Sequence, residues 1–164
     1  MKRVATALAV FAILLFGATV LHAGKPITWT DSGGGDAPIG YCEDAEFEVW
    51  ESVTYEVKGK AFFNKDGEWI KTKWHWTVEG YVYNADAPEN QLPYKNAVYN
   101  ETYDVETGED RISGLWALIT IPGYGSIFMD VGLIVFDEDF NIIFEAGKHQ
   151  WWYANVDALC EHLD

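Results

Sequence analysis

An alternation of period two is the feature that most constrains this fold, and it is clearest over residues 69–83. Trp74 and Trp76 share one parity, while Lys73 and His75 share the other. Side chains of a β-strand point alternately to opposite faces of the sheet. This stretch therefore predicts a strand with one apolar face and one amphipathic face.

Further strands are predicted by the same pattern and by the turn residues between them. Alternation recurs over residues 47–58 and 97–105, and the runs 112–121 and 127–136 are almost continuously apolar. Continuous apolar runs of this length are typical of central strands covered on both faces. Residues 64–67 (Asn-Lys-Asp-Gly) favour a tight hairpin. We therefore expect an all-β fold with a single antiparallel meander of about seven or eight strands.

The meander is expected to close into a small barrel, with a β-sandwich as the alternative. Sequential hairpins need no Greek-key crossover, and Gly114 and Gly132 lie in the central strands, where a barrel wall bends. The strand pattern ends after Tyr153. Asn155 is expected to cap a short C-terminal helix that runs through Cys160 or His162.

The first 23 residues have the pattern of a secretory signal peptide. Lys2 and Arg3 precede an apolar run over residues 4–21, and Ala23 supplies a small residue for cleavage. An uncleaved N-terminal anchor is the alternative. The pattern predicts a secreted protein, extracellular or periplasmic according to the source, with no integral membrane segment after cleavage.

Two units are expected after the signal peptide. Residues 24–41 contain three consecutive glycines and two prolines without sustained periodicity, which predicts a flexible N-terminal lead-in. Residues 42–164 are expected to form one β-barrel-like domain that includes the C-terminal helix, because no linker or internal repeat interrupts them.

Only two cysteines occur, Cys42 and Cys160, in a chain predicted to reach an oxidising compartment. An even count with no competing third cysteine predicts that they form a disulfide. Two buried free thiols are the alternative. The bond would tie the first strand of the domain to the last element and contribute roughly 2–4 kcal/mol.

The charge balance excludes one class of function. The 164 residues carry 11 Lys and Arg against 26 Asp and Glu, a net charge of −15, which rules out a nucleic-acid-binding domain built on a basic face. A hydrophobic content of 49% also excludes a disordered chain. No particular protein partner is predicted from the sequence.

Asp130 is the strongest single candidate for a functional residue. It shares parity with Phe128 and Ile134, so a face expected to be buried carries a carboxylate. An unpaired carboxylate there would be costly, so it requires a partner or a wet cavity. In the functional interpretation it orients a ligand or acts as a general acid or base. The simpler expectation is an Asp paired with Arg111, a lysine or a tyrosine hydroxyl, or one that faces solvent.

Eight tryptophans provide the second candidate feature. Most are expected to pack in the core, but Trp74, Trp76, Trp116 and Phe128 together with Asp130 are the predicted lining of an interior site for a small apolar or amphipathic ligand. Binding without catalysis is the leading hypothesis. A small isomerase, cyclase or hydrolase that uses Asp130 is the second, and an acidic scaffold that meets a protein or cell-wall partner is the third.

No cofactor or metal is predicted. Asp137, Asp139 and Asn141 match the start of an EF-hand loop, but Ile142 and Lys148 occupy positions that require Gly and Glu. An acidic hairpin turn is the simpler expectation. The histidines are scattered, and phosphate-binding, dinucleotide-binding and Gly-x-Ser-x-Gly motifs do not occur.

The two cysteine contexts, Cys42 followed by Phe47-Glu48-Val49 and Leu159-Cys160-Glu161-His162-Leu163, frame a strand-rich body. This outline resembles small secreted bacterial β-barrel proteins of the lipocalin or allene-oxide-cyclase kind. The resemblance implies an eight-stranded barrel. The Gly-x-Trp motif of the first lipocalin strand is absent, and the resemblance transfers no catalytic residue.

Overall fold

A computed structural model describes residues 24–93, 97–121, 123–149 and 157–164. The predicted signal peptide, residues 1–23, lies outside these ranges, as does the predicted helix cap Asn155. No helix in the described part of the chain has the length and apolar character needed to cross a membrane.

The described residues form one antiparallel sheet of eight strands followed by one short helix. The elements are β1 (Ile27–Cys42), β2 (Phe47–Phe63), β3 (Trp69–Asn84), β4 (Gln91–Pro93), β5 (Ala97–Asp104), β6 (Asp110–Ile121), β7 (Gly125–Phe136), β8 (Ile142–Lys148) and α1 (Asp157–Leu163). This confirms the predicted all-β fold with a short C-terminal helix.

The strands are hydrogen-bonded in the order β1-β2-β3-β5-β6-β7-β8, and β4 pairs with β3. β5 pairs with β3 over Lys71–Val78, and β4 pairs with it farther along, over Tyr81–Tyr83. Both short strands therefore extend the same side of β3. Within the described ranges there is one sheet and no ladder between β1 and β8, so closure into a barrel stays a prediction.

The segment 24–41, predicted to be a flexible lead-in, is strand from Ile27 onward. It pairs with β2 in continuous register from Ile27 opposite Ala61 to Pro38 opposite Trp50, and the register shifts before Gly40. Residues 27–38 are all exposed, so the pairing rests on backbone hydrogen bonds. A strand that buries no side chains needs no apolar alternation, and for this reason the sequence pattern did not reveal it.

The predicted turns form as side-chain-supported hairpins. The Asn64 side-chain oxygen accepts hydrogen bonds from the backbone N–H of Asp66 and Glu68, both at 2.9 Å. The Asp137 carboxylate likewise accepts from the backbone N–H of Asp139 and Asn141, both at 2.9 Å. The acidic segment is thus a closed hairpin turn, and its carboxylate is occupied by its own backbone.

α1 covers one end of the sheet. Leu159 and Leu163 of α1 are fully buried. The side-chain amides of Asn84 and Asn90 donate to the Leu163 carbonyl at 3.1 and 3.3 Å, which satisfies a helix-end acceptor. The sheet residues of this core are Ile39, Cys42, Phe47, Val49, Val82, Ala117, Ile119 and Phe128.

The predicted disulfide is present between Cys42 and Cys160, whose Cα atoms are 5.7 Å apart. It joins the end of β1 to α1 across a sequence separation of 118 residues. Because both the bond and the buried leucines lie at the same end of the sheet, we call this region the helix-capped end.

A row of glycines crosses the last three strands. Gly114 of β6 is opposite Gly132 of β7, which is opposite Gly147 of β8. Their φ angles are +134°, +151° and +127°, a region that side-chain-bearing residues rarely adopt. A Cβ atom on Gly132 would also collide with the Ala146 carbonyl oxygen. Glycine at these positions therefore lets the neighbouring backbones approach closely.

Candidate functional site

The face of the sheet that carries the core residues is called the inner face. A cleft of about 310 Å³ lies on this face, beside the core of the helix-capped end. Its walls come from β2, β3, β5, β6 and β7. The aromatic side chains in these walls are Tyr55, Trp76, Tyr99, Trp116 and Phe128. The carboxyl groups in the walls belong to Glu51 and Asp130. No lysine or arginine is among the described residues that line the cleft.

The aromatic residues contact one another across strands. Trp76 stacks on Tyr99 with ring centroids 5.9 Å apart and an interplanar angle of 17°, and Tyr55 meets the Trp76 ring edge-on at 5.5 Å. Tyr99 also contacts Trp116 at 6.0 Å. Register explains the group, since Trp76 is opposite both Val57 of β2 and Tyr99 of β5. The rings form a continuous wall rather than isolated side chains.

Four of the five predicted lining residues come together in this cleft. Trp76, Trp116, Phe128 and Asp130 all line it. Trp74 shares the inner parity of Trp76 but lies one side-chain position farther along β3, opposite Gly59 and Glu101, and does not line the cleft. A regular alternation identifies the face of a strand but not how far along it a cleft extends.

Asp130 is buried, with 5% of its surface exposed, and its partner is His149. The distance from Asp130 Oδ1 to His149 Nδ1 is 2.8 Å. Arg111, one of the partners considered from the sequence, instead forms an ion pair with Glu109 at 2.7 Å. Arg111 is opposite Val135, whereas Asp130 is opposite Ala117, so Arg111 has the outward parity.

His149 is held on both sides of its ring. Its Nε2 lies 3.3 Å from the Ala146 carbonyl oxygen, and its side chain is 1% exposed. Burial opposes protonation, but the hydrogen bonds to Asp130 and to Ala146 outweigh it and raise the pKa of His149 above 6.5. Both partners are acceptors, so the doubly protonated ring satisfies them best. The geometry favours an imidazolium–carboxylate pair.

A second acidic site, which the sequence analysis missed, lies behind the Trp76 ring. Glu101 Oε2 accepts a hydrogen bond from Trp76 Nε1 at 2.8 Å. Burial, and then the charge of Asp110, raise the pKa of Glu101 to about 7. Burial also raises the pKa of Asp110, and its Oδ1 atom is buried without a hydrogen-bond partner in the described part of the chain.

The sequence pattern around Glu101 does not decide which face of the strand this residue occupies. Glu101 alternates in phase with Tyr99 and Tyr103, and both parities of this stretch contain polar residues. Only the pairing of Glu101 with Trp74 on one side and Ile112 on the other shows that it faces inward.

The remaining histidines of the described region do not join the cleft. His75 lies on the outer face, where its Nδ1 is 2.9 Å from the Asn100 side-chain oxygen, and His162 contacts the Tyr124 ring. Across the described ranges, no three His, Cys, Asp or Glu side chains are arranged to hold a metal ion.

Comparisons give no family, relative or structural neighbour from which a role could be transferred. No family model, no curated protein and no solved structure matches this chain. The function is therefore inferred from the residues of the cleft.

Proposed function

We propose that the protein binds a small apolar or amphipathic ligand in the aromatic cleft. The observation that carries this proposal is a cavity of about 310 Å³ walled by five aromatic side chains, with carboxyl groups at a few positions. Small-molecule sites typically combine apolar and aromatic walls with a few polar groups. Ring faces such as those of Trp76 and Tyr99 offer large contact areas with little conformational freedom to lose.

The His149 geometry supports binding rather than proton transfer. A catalytic histidine oriented by a carboxylate keeps its second ring nitrogen available to the reacting group. Here Nδ1 contacts Asp130, and Nε2 contacts the Ala146 carbonyl oxygen. The pair is therefore suited to holding the cleft wall at a fixed geometry and charge.

Titration with 2-naphthylmethanol, a neutral two-ring probe, tests the proposal. We expect a saturable calorimetric signal and a change in tryptophan emission. Trp116→Leu should weaken binding about tenfold, because it removes one ring face from the cleft. Trp50→Leu is the matched control, since Trp50 lies outside the cleft lining and its Nε1 donates to Glu48. No binding, or equal effects of the two substitutions, would contradict the proposal.

A second candidate is a small isomerase, cyclase or hydrolase. The predicted catalytic residue, Asp130, lines the cleft but is hydrogen-bonded to His149. Glu101 has a pKa of about 7, which suits a general acid at neutral pH, but it lies behind Trp76 outside the cleft lining and would act only on a substrate that reaches past that ring. Turnover of p-nitrophenyl acetate or p-nitrophenyl glycosides tests the hypothesis that the protein is a hydrolase. Activity lost in Glu101→Gln, with the fold retained, would favour the enzyme; no turnover would leave binding as the function.

We infer that the protein is secreted and that its signal peptide ends at Ala23. The Cys42–Cys160 bond supports this, because disulfides persist in oxidising compartments. Mass spectrometry of the protein from the medium or periplasm checks the inference. An N-terminus at Gly24 is expected, whereas a chain that begins at Met1 in the membrane fraction would indicate an uncleaved anchor.

A further inference from the structure

The Trp76 ring is the centre of the aromatic wall, and three contacts hold it in place. It stacks on Tyr99, meets Tyr55 edge-on, and donates a hydrogen bond from Nε1 to Glu101 Oε2 at 2.8 Å. Stacked rings can slide over each other, whereas a hydrogen bond fixes the direction of its donor. Glu101 therefore determines how the ring edge is oriented, although it lies behind the ring and outside the cleft lining.

Glu101 is itself held by the neighbouring carboxyl group of Asp110. The two residues share the inner face and are diagonal neighbours, since Glu101 is opposite Ile112 and Asp110 is opposite Tyr103. Their carboxyl groups hydrogen-bond each other, with Glu101 as the donor. A bond between two carboxyl groups requires a proton. The chain of bonds thus runs from Trp76 Nε1–H to Glu101, and from the Glu101 O–H to Asp110.

The surrounding groups offer no positive charge to replace this proton. β5 is bordered by β3 and β6. On its own strand, Glu101 shares the inner face with Tyr99 and Tyr103, and on β6 with Asp110. The inner-face residues of β3 opposite this stretch are Thr72, Trp74 and Trp76. The nearby cations have outward parity and contacts of their own: Lys71 with Asp104, Lys73 over Phe62, and Arg111 with Glu109.

Loss of the proton would break the bond between the two carboxyl groups. Two adjacent carboxylates in a half-buried space repel each other, and Asp110 Oδ1 already has no hydrogen-bond partner among the described residues. Burial, and then the charge of Asp110, raise the pKa of Glu101 to about 7, so this loss falls within the neutral range. Glu101 would then move away from Asp110 and disturb the ring that it holds.

We propose that Glu101 is a positioning residue of the cleft: the proton that it shares with Asp110 keeps the Trp76 ring in its binding geometry, and loss of that proton weakens ligand binding. This inference rests on the ligand-binding function proposed above and adds its regulation by pH.

Titration of 2-naphthylmethanol at pH 6 and pH 8 tests the inference, because this neutral probe does not itself ionise in that range. One pH unit above a pKa of about 7, roughly a tenth of the molecules keep the proton. Apparent affinity scales with the binding-competent fraction, so calorimetry should show about tenfold weaker binding at pH 8. Equal affinity at both pH values would overturn the inference and leave ligand binding intact, whereas binding at neither pH would overturn both.

A matched pair of glutamate substitutions assigns the effect to Glu101. The amide of Glu101→Gln can still accept from Trp76 and donate to Asp110, but it does not titrate. This variant should therefore retain at pH 8 most of the affinity that it has at pH 6. Glu79→Gln, on the exposed outer face of β3, should keep the wild-type pH dependence.

His149, whose pKa is also raised, is present in all three proteins, so its contribution is common to them. The same loss of affinity in Glu101→Gln as in the wild type would assign the effect to another group and overturn the inference.

The indole N–H resonance of Trp76 follows the same step in the protein without ligand. It is assigned by comparison with the spectrum of Trp76→Phe. We expect this resonance to shift with a midpoint near pH 7 in the wild type and to stay in place in Glu101→Gln. A resonance that does not move in the wild type would show that the Glu101 proton does not control the ring, and would overturn the inference.

Discussion

The helix-capped end and the cleft lie on the same face of the sheet but differ in how closely their side chains pack. At the helix-capped end, Leu159, Leu163 and the Cys42–Cys160 bond complete a close-packed apolar core. In the cleft, aromatic rings and carboxyl groups leave a cavity of about 310 Å³. The two regions meet at Ala117 and Phe128, which belong to the core and also line the cleft. Beyond these shared residues, stability and the candidate site depend on different stretches of the same strands.

This division has an energetic cost. Burial raises the pKa values of Glu101 and Asp110, which lie behind Trp76, so the folded protein disfavours their ionised forms. The closely packed residues at the other end offset that cost. The comparison predicts that substitutions at the helix-capped end destabilise the fold strongly, and that changes in the cleft affect stability less or only at particular pH values.

The largest effect is expected from the disulfide. The double substitution Cys42→Ser/Cys160→Ser should lower the free energy of unfolding by roughly 4 kcal/mol, because the bond closes a loop of more than 100 residues. Urea unfolding followed by tryptophan emission measures this. Wild-type protein unfolded with a reductant is the control and should match the variant. An unchanged midpoint would show that the bond contributes little to the helix-capped end.

A pair of alanine substitutions compares the two regions directly. Leu159→Ala removes a fully buried side chain and should cost roughly 3 kcal/mol. Val78→Ala removes a half-buried side chain that borders open space in the cleft, so the loss should be about 1 kcal/mol. Thermal unfolding monitored by circular dichroism measures both. Equal losses would show that the cleft is packed as tightly as the core.

A third effect on stability depends on pH. The pKa of Glu101 is about 7 in the folded protein against an ordinary 4.5, so the folded state holds this proton more tightly than the unfolded state. The associated stability is present below pH 4.5 and is lost as pH rises towards 7, by roughly 2 kcal/mol.

Glu101→Gln isolates that contribution. It retains an acceptor for Trp76 Nε1 but does not ionise, so its stability should fall less between pH 5 and pH 8 than that of the wild type. His149, with its raised pKa, titrates in the same direction in both proteins and cancels in the comparison. Parallel curves for the two proteins would mean that Glu101 ionises freely in the folded state.

The sequence predicts those features that depend on local chemistry. Alternation, turn residues and the cysteine count predict the antiparallel meander, its hairpins and the Cys42–Cys160 bond, all of which the structure has. They do not predict the exposed part of β1, residues 27–38, because a stretch that buries no side chains has no required period. They also do not predict that Asp130 meets His149, since 19 residues separate them and only the register around β7 and β8 determines their distance.

The row formed by Gly114, Gly132 and Gly147 restricts the register in which the neighbouring strands can pair. Side chains alternate along a strand, so a slip of one residue between β5 and β6 would bring Ser113 or Leu115 to the position of Gly114, where a Cβ atom would meet the Val98 carbonyl oxygen of β5. The same holds between β7 and β8, where Ala146 would replace Gly147. The row therefore discriminates against misaligned pairings, and the alignment it selects is the one that brings Asp130 and His149 together.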